Sequence, residues 1–157
     1  MAAVALRSLD DADLDVLFDL MRDPVSVRMA AFTAKDPNDR EAFDAHMAKV
    51  RSTPDVTMRA ITRDDRLVGS IASFIIDGET ELTYWIDRSV WGQGVASRAL
   101  AQFLQTLEIR PICARAASDN IGSLKVLQKA GFEAIGTEVS YASGRDAEIE
   151  ETILRLV

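Results

Sequence analysis

The run Tyr84-Trp85-Ile86-Asp87-Arg88-Ser89-Val90-Trp91-Gly92-Gln93-Gly94-Val95-Ala96-Ser97 carries the clearest chemistry in this chain: an apolar strand, a glycine turn and a helix start in immediate succession. Gly92 and Gly94 can take backbone conformations closed to other residues and bring amide N–H groups close to a ligand. The helix that follows opens near Val95. Its first amides have no partners inside the helix and carry the positive end of the helix dipole, so phosphate oxygens are their natural ligands. A phosphorylated compound is therefore expected at this turn. The turn lacks the Lys-Ser/Thr of a P-loop and the glycine spacing of a dinucleotide fingerprint, which disfavours a nucleotide-binding domain.

The elements that must position this turn follow from periodicity. Val4 to Leu9 alternates as a strand, and Asp10 or Asp11 is placed to cap a helix to about Met21, with Leu14, Leu17, Phe18 and Met21 on one face. Pro24 breaks that helix, and a short one is expected around Val25 to Ala30. Asp36-Pro37 then offers a cap and a proline for a helix running through Phe43 and Met47 to about Val50. Three strands follow, Thr57 to Thr62, Arg66 to Ile76 and Glu81 to Asp87, separated by Arg63-Asp64-Asp65 and Asp77-Gly78-Glu79-Thr80 as hairpin turns. After the glycine turn a helix reaches about Leu107. Ile112 to Ala117 reads as a strand, Asn120 to Ala130 as a helix stopped by Gly131, and Phe132 to Tyr141 with Ala147 to Val157 as a closing hairpin. This order predicts a mixed, mostly antiparallel sheet with helices on its faces. Only the strands flanking the helix after Gly94 need be parallel.

A length of 157 residues, 48% apolar and 27% charged, fits one globular domain over residues 1–157. The N-terminal Met1-Ala2-Ala3-Val4-Ala5-Leu6-Arg7 has neither the apolar length nor the basic flank of a signal peptide, and no run approaches membrane-spanning length. A cytoplasmic protein with no membrane partner is expected. A single cysteine, Cys113, and a single histidine, His46, exclude an internal disulfide and argue against a zinc site, so no metal is expected. The net charge of -7 and the absence of a basic run argue against nucleic acid, and the same field favours cationic acceptors such as amines.

Two motifs together resemble the GNAT superfamily of acyl-CoA-dependent N-acetyltransferases, and within it the Rim-type ribosomal-protein N-terminal acetyltransferases. The first is Trp91-Gly92-Gln93-Gly94-Val95-Ala96, similar to the family's pyrophosphate loop of Arg or Gln, two variable residues, Gly, one variable residue, then Gly or Ala. Trp91 departs from the Arg or Gln. The Trp-Gly-x-Gly form resembles the Rim-type branch, and Arg88 or Arg98 is available to compensate for the lost donor. The second is Asn120-Ile121-Gly122-Ser123 followed by a helix ending in Gly131-Phe132.

The resemblance implies a seven-stranded GNAT sheet, splayed between strands four and five to admit the pantetheine arm. It implies acetyl-CoA as co-substrate, held by the strand Tyr84, Trp85 and Ile86, by the loop Gly92, Gln93, Gly94, Val95, Ala96 and Ser97, and by Asn120 and Ser123. A primary amine then attacks the thioester directly, and backbone N–H groups stabilise the oxyanion. Ser123 matches the family's serine near the sulfur. Glu81, with Glu79 second, is the candidate to take the amine's proton directly or through water. A protein α-amino group, with a pKa of about 7.7 to 8.0, needs a weaker base than a lysine at about 10.4. The Rim-type resemblance makes a protein N-terminus the expected acceptor. A small-molecule amine, such as an amino acid, polyamine or aminoglycoside, is the nearest alternative, and a non-catalytic acyl-CoA-binding regulatory module is a different class. Related enzymes often form homodimers.

The same residues have plainer readings. Asn120 and Ser123 suit the first turn of a helix whatever they bind. Tyr84 and Trp85 point to opposite faces of their strand, one toward the core and the other toward cleft or covering helices. Cys113 reads as a small core residue, His46 as a helix-surface residue, Tyr141 as packing, and Glu148, Glu150 and Glu151 as a solvated strand face.

Overall fold

The computed structural model describes residues 3–157; Met1 and Ala2, part of the stretch read above for a leader, lie outside the described residues. In chain order the elements are β1 (Val4–Arg7), α1 (Asp13–Met21), α2 (Pro24–Ala30), α3 (Arg40–Ser52), β2 (Thr57–Arg63), β3 (Arg66–Ile76) and β4 (Glu79–Ile86). A 3-10 turn at Arg88–Val90 leads to α4 (Val95–Thr106), β5 (Ile112–Ala117), α5 (Ile121–Lys129), β6 (Glu133–Ala142) and β7 (Ala147–Leu156). The seven strands form one sheet in the order β1-β2-β3-β4-β5-β7-β6. Every pairing is antiparallel except β4 with β5.

That parallel pair is short. β4 and β5 are in register only from Thr80 opposite Ile112 to Leu82 opposite Ala114, and beyond Leu82 the strands part. β4 remains paired with β3 along its whole length, from Glu79 to Ile86, so the gap opens on its β5 side alone. The parting is the splay expected from the resemblance, and it leaves the backbone of residues 83–86 without a partner strand on that side.

Alternation along β4 sorts the two faces of the sheet. Leu82 and Ile86 join Ile71, Ile112, Ala114 and Leu154 in the main core, with Val95, Ala99, Leu100 and Phe103 of α4 and Leu127 of α5 packed over them. On the other face α1 packs against β3 and α2 against β5. There Ala31, Ala117 and Ala142 form a small second core. Burying large side chains such as Phe103 contributes about 1.5–3 kcal/mol each, and this face-by-face burial fixes the strand register.

Several local expectations are corrected. Neither Asp10 nor Asp11 caps α1. Asp13, in its first turn, reaches back to accept from the Asp10 amide at 2.7 Å and takes two hydrogen bonds from Arg7, at 2.7 and 2.8 Å. The Arg7 guanidinium holds the Asp13 carboxyl below the usual range. Pro24 starts α2 rather than only ending α1, because its missing N–H costs nothing at a first helical position; Asp23 caps the helix by accepting from Ser26. α3 starts three residues after Pro37, at Arg40, with Asp39 as cap. The two hairpin turns shrink to two residues each. Asp64-Asp65 (φ 50° and 66°) and Asp77-Gly78 (φ 51° and 79°) take left-handed conformations that match the twist of the strands, so β4 begins at Glu79.

Candidate active site

The splay, the glycine turn and the start of α5 enclose one cavity of about 570 Å³. Tyr84, Trp85 and Ile86 line it from β4, and Gly92, Gly94, Val95, Ala96 and Ser97 from the turn and the first residues of α4. Asn120 and Ser123 close it from the β5 side. Gln93 is not among the lining residues; its side chain is exposed.

The turn has the geometry that its glycines allow. Gly92 (φ 75°) and Gly94 (φ 78°) are both left-handed, and a β-carbon at either would meet no atom within 4 Å. The space beside them is open to a ligand rather than filled by protein. α2, α3 and α5 each have a side chain accepting an amide of the first turn, from Asp23, Asp39 and Asn120 respectively, but α4 has no side-chain cap. Twelve residues of aligned peptide dipoles thus end on uncapped amides at the cavity wall. These residues fit a pyrophosphate. Trp91 packs across the turn and donates its indole N–H to the Ile86 carbonyl at 2.9 Å, closing off the last acceptor of β4. Arg88 does not replace the missing loop cation: it is held by Asp23 at 2.9 and 3.1 Å, outside the cavity lining.

The two faces of β4 deliver different side chains. Tyr84 extends toward α5, and its hydroxyl lies 2.7 Å from Ser123 Oγ. Burial pushes the Tyr84 phenol up, and the Ser123 hydroxyl pulls it partly back. Trp85 points the other way, under α1, where its indole N–H donates to the Leu20 carbonyl at 3.1 Å. Both rings nonetheless reach the cavity, because the splay exposes β4 edge-on. Asn120 caps α5 by accepting from the Ser123 amide at 3.2 Å, which fixes the backbone that carries the serine hydroxyl.

Glu81 is not brought to this group. It lies on the opposite face from Tyr84, outside the cavity lining, 3.3 Å from Arg115. Arg115 also holds Glu138 at 2.9 Å and Glu151 at 3.3 Å. Burial raises the Glu151 carboxyl above its ordinary value, while Arg115 opposes the shift. Glu79 starts β4 and is also outside the lining. Cys113 is buried on β5, where desolvation raises its thiol; His46 is exposed on α3; Tyr141 is exposed and bonds Asp146.

One wall had no signal in the sequence. Ser26, Met29 and Ala30 of α2 line the cavity opposite the turn, together with Asp119. Directly after α2, Ala31 is fully buried at φ 67° and ψ -57°, and the Phe32 amide bonds the Ala30 carbonyl at 2.7 Å. This is a γ-turn, a strained conformation costing on the order of 1–3 kcal/mol. The β6–β7 turn holds it in place. Gly144 donates to the Ala31 carbonyl at 2.8 Å, and a β-carbon at Gly144 would lie 2.4 Å from the Val27 carbonyl oxygen. Arg145 forks onto Asp119 at 2.7 and 2.9 Å and also donates to the Arg28 carbonyl. Arg145 lowers the Asp119 carboxyl below its ordinary range, chiefly through these hydrogen bonds. Among the described residues, Asp119 is the one charged residue in the cavity lining.

A sheet split beside an uncapped helix N-terminus, with an open glycine cradle between, suits a phosphorylated ligand whose arm lies along a free strand edge. Residues 4–133 match the family described as Acetyltransferase (GNAT) domain, and the chain belongs to that family of acetyl-CoA-dependent N-acetyltransferases. No curated protein matches the chain in sequence. Among solved structures it is similar to Mycobacterium smegmatis RimJ in complex with a CoA disulfide, at 19% identity and TM-score 0.81 over 98% of this chain and 81% of that one. The ribosomal-protein-alanine N-acetyltransferase from Brucella melitensis superposes at 18% identity and TM-score 0.81, over 98% and 99% of the two chains. The microcin C7 self-immunity acetyltransferase MccE, in complex with acetyl-CoA and AMP, superposes at 14% and 0.82, over 98% and 92%. At these identities the likeness establishes the fold.

Proposed function

We propose that this enzyme acetylates a protein N-terminal α-amino group, with the amine attacking bound acetyl-CoA directly in a ternary complex. The observation that carries the proposal is the charge of the cavity. Among the described residues its one lining carboxylate, Asp119, is already committed to Arg145, and no lysine, arginine or histidine lines it. A site so poor in free bases suits an amine that arrives partly neutral. An α-amino group of pKa about 7.7 to 8.0 meets that condition near neutral pH, and a lysine or polyamine near 10.4 does not.

In this reading the uncapped amides of α4 hold the pyrophosphate and the free edge of β4 pairs with the pantetheine arm. Asn120 steadies the start of α5, and Ser123 donates to the departing sulfur. The wall of α2 and the β6–β7 turn receives the acceptor. Glu81 enters only through water, from the opposite face, where Arg115 holds it. The likeness of the glycine turn to the Rim-type form and the similarity in fold to a ribosomal-protein-alanine N-acetyltransferase support the same acceptor class.

The test is to incubate the pure protein with acetyl-CoA and panels of N-terminal peptides, lysine-containing blocked peptides and small amines, following CoA thiol release. Selective turnover of peptides with free N-termini is expected. Turnover confined to small amines would replace this acceptor with a small-molecule one, and binding of acetyl-CoA with no turnover of any amine would mark a regulatory module.

A further inference from the structure

Ser123 and Tyr84 come from elements 39 residues apart and meet inside the cavity with their hydroxyl oxygens 2.7 Å apart. Each hydroxyl has one hydrogen to give, so only one of the two donates in this contact. We propose that Tyr84 is a positioning residue for departure of the thiol: its phenol donates to Ser123 Oγ, and the single hydroxyl hydrogen of Ser123 is thereby turned into the cleft toward the CoA sulfur. The inference rests on the acetyl-CoA reading above and assigns within it the group that sets the direction of the Ser123 hydrogen.

Three observations favour this direction of donation. Tyr84 is half-buried in the wall, and burial penalises its phenolate more than the Ser123 hydroxyl favours it, so it stays protonated and remains a donor across the working pH range. The Asn120 cap fixes the Ser123 backbone and the Tyr84 contact holds its Oγ, which leaves rotation of the hydroxyl hydrogen as the remaining freedom. Among the described residues no cationic side chain lines the cavity, so a departing thiolate there is met by hydroxyls and amides. A chain running from the phenol through the serine to sulfur polarises each donor in turn, making Ser123 a stronger donor than an isolated hydroxyl.

The chain moves no proton. As the tetrahedral adduct collapses, the C–S bond breaks, and sulfur leaves with the bonding electron pair as a thiolate accepting from Ser123. The amine's proton passes to water, and the thiolate takes a proton from water on release. Tyr84 and Ser123 end as they began.

The consequence can be measured without knowing the acceptor. CoA bound to the protein should ionise at lower pH than free CoA, by about one unit or less, because its thiolate accepts from a polarised serine. Thiolate absorbance of the complex, with the titration of protein alone subtracted, reads this midpoint. Tyr84→Phe should move it back toward free CoA while the CoA dissociation constant, measured by calorimetry, stays within about twofold. Ser123→Ala should return it fully, and the double variant should match Ser123→Ala. In the acetyl-transfer assay Tyr84→Phe should lower kcat about three- to tenfold at unchanged KM for acetyl-CoA, and have no effect in the Ser123→Ala background. A midpoint that does not move in Tyr84→Phe, or an equal loss of kcat with and without Ser123, would overturn the pairing alone. Failure of the unmutated protein to bind CoA would overturn the reading beneath it as well.

Discussion

The two walls of the cavity are built in opposite ways. The wall proposed to hold the cofactor runs along contiguous chain: β4 leads into the glycine turn, and the turn leads into α4. Its contacts to a ligand come from backbone amides and a few neutral side chains. The wall proposed to receive the acceptor is assembled from three distant segments, the end of α2, the residue before the α5 cap and the β6–β7 turn. It is held by a strained γ-turn, a glycine pressed on a carbonyl and an ion pair between residues 26 apart. Local geometry makes an anion site almost wherever it occurs, because helix amides need no outside support to bind phosphate. An acceptor groove has no such generic solution, so its shape depends on which distant parts meet.

The contrast can be broken first at the turn. Gly94→Asp forces a side chain into a left-handed position at φ 78° and sets a carboxylate against the phosphates. Loss of acetyl-CoA affinity of about a hundredfold or more is expected by calorimetry, beside a backbone cost of about 1–2 kcal/mol because only glycine takes this conformation freely. Retained affinity would remove the turn from the binding site. On the other wall the balance reverses. Gly144→Val pushes a side chain onto the Val27 carbonyl oxygen, 2.4 Å from the new β-carbon. The expected cost is about 1–3 kcal/mol of stability, roughly 2–4 °C in melting temperature per kcal/mol, with a raised acceptor KM and nearly unchanged acetyl-CoA binding. A loss of cofactor affinity instead would show that the walls are not separable.

Ser123→Ala should act between the two, lowering kcat about tenfold, near 1.4 kcal/mol, at unchanged acetyl-CoA affinity. The smallest effect belongs to the Arg145–Asp119 pair, which lies on the rim. Because Arg145 depresses the Asp119 pKa in the folded state, the pair's stabilisation is fully present above the unfolded carboxylate value of about 3.9. It is lost as pH falls through the lower folded value. With the carboxylate largely exposed, the pair contributes at most about 1 kcal/mol. Asp119→Asn should therefore be less stable than the unmutated protein at pH 7 in urea titrations, and the difference should shrink as pH falls below about 3.9. A constant difference across that range would mean that side-chain shape, not charge, holds the rim.

Strand and helix order was legible throughout, since each element carries its own period, from the buried face of α4 to the alternation in β4 and β5. Boundaries moved where one side chain settled them: Asp13 reaching back over the start of α1, or Asp77-Gly78 closing a hairpin in two residues. That Gly92, Gly94, Asn120 and Ser123 gather at one cavity, the wall proposed for the cofactor, was equally legible, because each stands close along the chain to the backbone it shapes. Glu81 illustrates the limit. Its position at the strand that enters the cleft is readable from sequence, but the face it takes depends on register with β5, and that register puts it beside Arg115.

By itself, then, the sequence determined the order of elements and the open glycine turn, which follow from local periodicity and from residues that act on their own backbone, while its two motifs carried the resemblance to the family. Tertiary structure alone decided that Tyr84 meets Ser123, that Arg88 is spent on Asp23, and that α2 is clamped by Gly144 and Arg145. Those contacts join residues far apart in the chain. Sheet order and the parting of β4 from β5 place them in contact, and no local pattern encodes a distance between residues that only the closed fold brings together.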